Sequence, residues 1–289
     1  MHGASLFRSP DRNQALIPPS QSDEPAPGTI FSPDVVVCRL EPESGAGVGL
    51  DLRCAPAVAQ RWRAALLTQL QRVPERLRDV FSGHEPGGRP LDRPHLALLP
   101  VADVGRPRAE GRLEGLGLVL PRALAADDAR LLIEAAARVE RLVLGRLGVW
   151  RLAAVRTGEH APAALRPDGW TAYPSGAVRW STVTPMAFDR HPKAADAAAH
   201  HEEMAAMVAD ACARVGLPRP REVAVGAASV HAGVPPAHVF PRLPRKDGSE
   251  RRHAHVEVAF DGPVCGPVLI GAGRYRGYGV CRAVGVGVS

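Results

Sequence analysis

The spacing of apolar residues changes in a set order across residues 34–155, and that order restricts the fold more than any other property of the chain. The run DVVVCRL, beginning at Asp34, is β-branched and of strand length. Pro56 then opens a segment in which Val58, Trp62, Leu66, Leu70 and Val73 recur at helical spacing, ending near Pro74. A turn-rich stretch, SGHEPGGRPLDRP, leads to a short apolar run over residues 95–101, and GRLEGLGLVLP reads as another strand. Over residues 125–143, Leu131, Leu132, Ala135, Val139 and Leu142 form a second helical stripe, with Asp127 and Asp128 near its positive end. VWRLAAV closes the series as a strand. The order βαββαβ is the ferredoxin-like (RRM-like) pattern, an antiparallel sheet with helices on one face and the other face open.

The pattern restarts after a loop holding Pro162, Pro167 and Pro174. AVRWSTVTPMAF reads as a strand, residues 196–215 as a helix, and REVAVGAASV and HAHVEVAF as two further strands. Between Phe260 and the last apolar stretch near Val280 there is room for a glycine-rich loop but not for a full second helix. The expected fold is therefore α+β, with two tandem ferredoxin-like units, the second abbreviated. The expected divisions are a tail or linker at 1–30, rich in proline and polar residues, a first unit at 31–156, a linker at 157–174 and a second unit at 175–289.

At 289 residues and 45% hydrophobic the chain can bury a sizeable core, and it holds no apolar run of membrane-spanning length and no signal-peptide core near Met1, so the cytoplasm is the expected location. The five cysteines are scattered without a CxxC pair, which fits neither a disulfide framework nor a zinc knuckle and suggests buried thiols. The net charge of +6 points to an anionic partner, with nucleic acid first. Of 36 basic residues only Lys193 and Lys246 are lysine, and arginine favours bidentate phosphate contact and stacking on bases, although a GC-rich genome gives the same bias.

Near the C-terminus stands GAGRYRGYGVCR, with Gly271, Gly273, Gly277 and Gly279 around Arg274, Tyr275, Arg276 and Tyr278. Glycine permits positive φ and close backbone approach to phosphate, while arginine and tyrosine neutralise a backbone and stack on bases. A glycine-rich loop ahead of the last strand of a second ferredoxin-like unit resembles the hallmark of RAMP-superfamily CRISPR RNA-processing proteins. The segments SGHEPGGRPLDRPHLALLPVADVG, GRLEGLGLVLPRAL, RWSTVTPMAFDRHPK and GPVLIGAGRYRGYG resemble one branch of it, the fused RAMP protein of subtype I-U (I-G) CRISPR systems, over residues 30–285. Members of that branch carry an upstream domain for which this chain has no room. Where they often have a GHPHADG-like segment, this chain reads GRPRAEG, with Arg106 and Arg108 in place of histidine.

The resemblance implies a metal-independent endoribonuclease that cuts CRISPR repeat RNA by 2′-hydroxyl attack, needs no cofactor and stays with the guide RNA beside other subunits of a type I interference complex. Target DNA would be met only through that complex. Such chemistry needs a base, an acid and cations around the phosphorane, and histidine suits the first two near neutral pH. His84, in the loop after the first helix, is the expected general base, and His95 is expected to assist as acid or positioner. Arg274, Tyr275 and Arg276, with the four loop glycines, are expected to hold the RNA. So are Arg245, Lys246, Arg251 and Arg252 of RLPRKDGSERR, and His253 and His255, which alternate on one face of a strand with Glu257. His191, beside Arg190 and Lys193, suits phosphate contact, whereas His200 and His201 point in different directions on a helix. Two alternatives stand beside the nuclease: a non-catalytic subunit that caps guide RNA, and a metal-dependent hydrolase built on His253 and His255.

Overall fold

A computed structural model describes residues 25–43, 47, 49–155 and 161–285 of the chain. Most of the expected tail lies outside the described residues. The first sheet contains β1 (Val36–Pro42), a two-residue β2 (Leu50–Asp51), β3 (Ala97–Ala102), β4 (Arg112–Val119), β5 (Arg141–Val143) and β6 (Val149–Ala154). β1 lies between β4 and β6, and β3 pairs with β4, all antiparallel. The four long strands thus stand in the order β6, β1, β4, β3, the arrangement of a βαββαβ unit whose first and third strands are central. Its helices are α1 (Ala55–Leu67), with proline in its first turn, a short α2 (Arg78–Ser82), and α3 (Ala126–Ala136).

The second sheet repeats this order. β7 (Ala177–Thr182) and β10 (His253–Val264) are central, β11 (Cys281–Ala283) flanks β7, and β9 (Glu222–Gly226) flanks β10. A two-residue β8 (Met186–Ala187) adds to the start of β10. α5 (Ala197–Arg214) supplies the first crossover, with Asp196 Oδ2 accepting the Ala199 amide at 2.9 Å as its N-cap. Between β10 and β11 the described residues form turns and isolated bridges rather than a helix, so this unit is the abbreviated one.

Four expectations need correction. The helix over 125–143 ends at Ala136, and residues 141–143 form β5, an antiparallel partner of β6, with Gly145 and Gly148 turning the chain at positive φ. The run RLVLG satisfies both periods, and pairing with β6 decides it. Within the proline-rich stretch after β6, a turn at Ala163–Leu165 and a short α4 (Asp168–Thr171) bury Leu165 and Trp170, whose Nε1 donates to the Ala164 carbonyl at 2.8 Å. The sheet face expected to be open is partly covered. Every residue of β3 is buried, although its side chains alternate between faces, and residues 163–165 pack across β1, β3 and β4. Residues 25–33 are part of the packed body: Gly28 bridges Cys265, the Ile30 amide donates to the Val215 carbonyl at 2.9 Å, and Phe31 is fully buried.

One hydrophobic cluster runs through both halves, so the two sheets share a core. Arg282 fastens the seam, donating to the Val104 carbonyl and lying 5.7 Å from the Trp170 ring centroid. Gly111 and Gly233 meet so closely that a side-chain carbon on Gly111 would lie 2.0 Å from the Gly233 carbonyl oxygen. The five thiols are unpaired, and burial pushes Cys212 up to about 12. Among the described residues no helix is long and apolar enough to cross a membrane.

Candidate nucleic-acid interface

The loop after α2 carries the first functional side chain. α2 ends at Gly83, which adopts φ +70°. A side-chain carbon there would lie 2.6 Å from the His95 ring, so glycine both turns the chain and lets that imidazole close in. His84 follows. Its Nδ1 lies 3.0 Å from the Ser82 carbonyl oxygen, which can only accept, so Nδ1 carries the proton and the neutral ring presents the lone pair of Nε2. Nε2 makes no hydrogen bond among the described residues. The same Ser82 carbonyl accepts from Arg63 of α1, which sets that guanidinium beside His84.

His95 is in a different state. It is 7% exposed, its Nδ1 donates to the Arg93 carbonyl at 3.2 Å, and its ring stacks on Tyr275 with centroids 3.6 Å apart. Burial, with smaller contributions from Arg63, Arg274 and His84, pushes its pKa down to about 4. A pKa that low favours the uncharged ring at neutral pH. What it does is fix the Tyr275 ring, over which the Arg274 guanidinium sits at 4.7 Å.

These groups face one cleft of about 330 Å³, with Arg63, Gly83, His84 and His95 from the first half and residues 243–246, Arg251, Ala272 and Arg274–Arg276 from the second. The cationic side chains are Arg63, Arg245, Lys246, Arg251, Arg274 and Arg276, and the lining holds no carboxylate. Several arginines elsewhere are paired: Arg76 with Asp128, Arg93 with Asp79, Arg141 with Glu43 and Arg179 with Glu257, among others. None of the six cleft cations forms an ion pair among the described residues. Three are tied instead to carbonyls: Arg63 to Ser82, Arg274 to Gly271 at 3.2 Å, and Arg251 to Phe188 and Asp189 at 3.1 and 2.6 Å. A carbonyl orients a guanidinium without neutralising it, so the cleft keeps its charge. Arg245 Nε and Nη2, Arg274 Nε and the Tyr275 hydroxyl are buried without a partner among the described residues.

The glycines of the loop are packed against protein. Gly271, Gly277 and Gly279 have positive φ, and all four are buried. The space beside each α-carbon is taken by protein: Ala187 at Gly271, Tyr278 at Gly273, Ala59 and Pro100 at Gly277, Ile270 at Gly279. They fold the loop tightly and seat it on the first half, while Arg274, Tyr275 and Arg276 reach the cleft. Tyr278 is a core residue whose hydroxyl donates to the Pro241 carbonyl at 2.9 Å.

Like the loop glycines, Arg252, His253 and His255 are expected at the RNA but do not line the cleft. His255 is 1% exposed and fully bonded, its Nε2 donating to the Pro235 carbonyl and its Nδ1 accepting from the Thr182 hydroxyl, each at 3.0 Å. It is a core histidine because the segment holding Pro235 and Phe240 packs over it, with the Phe240 ring centroid 6.0 Å from its own. Arg252 and His253 turn to the other side of the 242–252 segment, into a separate cavity, where Arg252 Nη1 lies 2.9 Å from His200 Nε2. Arg190 and the Lys193 amide are engaged by Glu203, whose pKa the Arg190 contact holds down to about 2. Arg106 pairs with Asp103 at 2.6 Å, and neither it nor Arg108 lines the cleft. Among the described residues no group of three or more metal-ligating side chains converges.

Arg63 escaped sequence reading. Its one trace is Ala59, a small buried residue one turn earlier, which signals close approach by something; that partner, Gly277, is far along the chain.

Strand order and cleft together define a tandem ferredoxin-like protein with a carboxylate-free polycationic cleft at the seam of its halves. A family model described as CRISPR-associated protein, GSU0054 family, matches residues 50–283, and the chain belongs to that family. Among solved structures it is similar to the product of a Cas6-related gene from Pyrococcus furiosus, at 10% identity and TM-score 0.41, covering 88% of this chain and 99% of that one. It is also similar to a CRISPR-associated protein Cas6 (8% identity, TM-score 0.42, covering 86% and 98%). A third similar structure is a Cas6 product complex (14%, 0.37, 86% and 97%). No curated protein sequence matches the chain.

Proposed function

We propose that this protein is an endoribonuclease that cleaves CRISPR repeat RNA into guide RNA, with His84 as general base. The observation that carries this reading is an imidazole locked in its proton-accepting tautomer on the wall of an unneutralised cationic cleft. His84 Nε2 takes the proton of a 2′-hydroxyl, the 2′-oxygen bonds to the adjacent phosphorus, and the bond to the 5′-oxygen breaks. A cyclic phosphate and a 5′-hydroxyl result once solvent water protonates the leaving oxygen. Arg63 and Arg274 offset the charge that builds on the phosphorane, and the scheme runs without a metal ion. His95 is a positioning residue that holds Tyr275. The product stays bound as the guide within a type I interference complex, whose other subunits are the expected partners.

A second reading has its own support. With His95 buried under Tyr275, His84 is the one accessible histidine lining the cleft, and a single imidazole without a second proton-transfer partner suits a subunit that caps guide RNA without cutting it. Labelled repeat RNA incubated with protein in EDTA separates the two. Expected is cleavage at one site, reduced roughly 10²- to 10⁴-fold in His84→Ala with binding retained, and kept in His95→Phe, which preserves the stack. Binding without cleavage by the wild type supports the capping subunit, and cleavage that requires added divalent cation refutes the metal-free scheme.

A further inference from the structure

Along α1 the cleft continues into a second cavity of about 400 Å³. Arg63 and Arg276 line both, so the two compartments share a rim. One wall is the outer side of α1, with Ala57, Gln60, Ala64 and Leu67, and the other is the segment 241–244. The floor includes Tyr278, whose hydroxyl is already bonded to Pro241. Apart from the shared arginines and Arg242, the only polar side chain offering an unspent amide is Gln60, and the lining holds no carboxylate. A cationic compartment opening into a mostly apolar one with few polar groups matches the two parts of a nucleotide, and the volume is within the range of small-ligand sites.

We propose that this cavity receives one unpaired nucleobase of the RNA whose phosphates occupy the cleft, and that Gln60 reads its edge. The inference rests on the RNA reading above and adds a site for sequence recognition. Phosphate contacts with the six cations fix where the strand lies but carry no base identity. A carboxamide places a donor and an acceptor side by side, the pattern that pairs with a base edge and separates one base from another. The pocket is a recess between a helix and a loop, so a base can enter only when it is splayed out of a duplex. The bound nucleotide therefore lies in a single-stranded stretch beside the cleaved bond.

The test measures fluorescence anisotropy with the host's own repeat RNA, made uncleavable by a 2′-deoxy substitution at the cut site. Single abasic positions are walked through the flanking nucleotides. Ala64→Trp fills the cavity from an exposed position of α1, and a thermal melt confirms its fold. Expected is one abasic position that costs wild type roughly tenfold or more in affinity, the size of a lost base contact. Ala64→Trp loses a similar factor with intact RNA, and the two losses do not multiply when combined. Gln60→Ala, which adds no bulk, narrows the differences among the four bases at that position. Binding indifferent to every abasic position, or losses that multiply, would overturn the pocket while leaving the RNA reading intact. Absence of repeat-RNA binding by the wild type would overturn both.

Discussion

Removing Arg245 and Lys246 together weakens the salt dependence of RNA binding by a calculable amount. Both line the cleft, neither forms an ion pair among the described residues, and Arg245 leaves two buried nitrogens without partners. Each cation that neutralises a phosphate of a single strand releases counterion, contributing about −0.7 to the slope of log K against log salt concentration. With all six cleft cations engaged the slope is about −4, an affinity loss of roughly 300-fold between about 50 and 200 mM salt. The double alanine variant is left with four, a slope of about −2.8 and a loss of roughly 50-fold over the same range. Fluorescence polarisation of a labelled single-stranded repeat RNA across a potassium chloride series reads both slopes. The control is Arg130→Ala, whose guanidinium pairs with Asp127 at 3.4 Å on α3 and should leave the slope unchanged. A double variant that keeps the wild-type slope, or a wild-type slope near about −1, would refute the cleft as the phosphate-binding surface.

Two further outcomes concern stability. Burial pushes both His95 and His255 down to about 4 from 6.5, so between those pH values the unfolded chain binds more protons than the folded one, and stability falls as pH falls. The loss at pH 5 is roughly 2 kcal/mol for each histidine, and thermal melts at pH 7 and 5 should show it, with a smaller pH effect in His255→Asn; equal melting temperatures at both pH values would contradict it. Gly279→Ala places a carbon 1.9 Å from the Ile270 carbonyl oxygen at φ +63°, and should lower stability by more than about 2 kcal/mol. Gly226→Ala, with open space around it, is the neutral comparison, and equal melting temperatures for the two variants would show that the loop is not packed as described.

The strands and helices that hold the site were legible because their periodicity is local: β1, α1, β4, α5 and β10 follow from spacing and caps alone. β5 was hidden because a short apolar run fits both periods until a partner strand selects one. α4 was hidden because prolines usually mark loops, and only the burial of Trp170 between the halves stabilises a turn of helix there. For the site, His84, Arg245, Lys246, Arg251 and the Arg274–Arg276 trio were readable from loop composition. His255 misled because alternation on a strand reveals a shared face but not whether that face meets water or a second layer. Arg63 was invisible because its importance depends on the Gly277 contact, a fact of tertiary packing rather than spacing.

The seating of Gly277 against Ala59 and Pro100 also sets when the site comes into being. A ribosome produces His84 and Arg63 early and the opposing cations late, with Arg276 only a few residues before β11. A chain stopped before the glycine loop carries His84, Arg63 and Arg245 but lacks Arg274 and Arg276, the cations that the loop brings to the cleft. Such products have an incomplete cleft, so completion of synthesis itself closes its cationic wall.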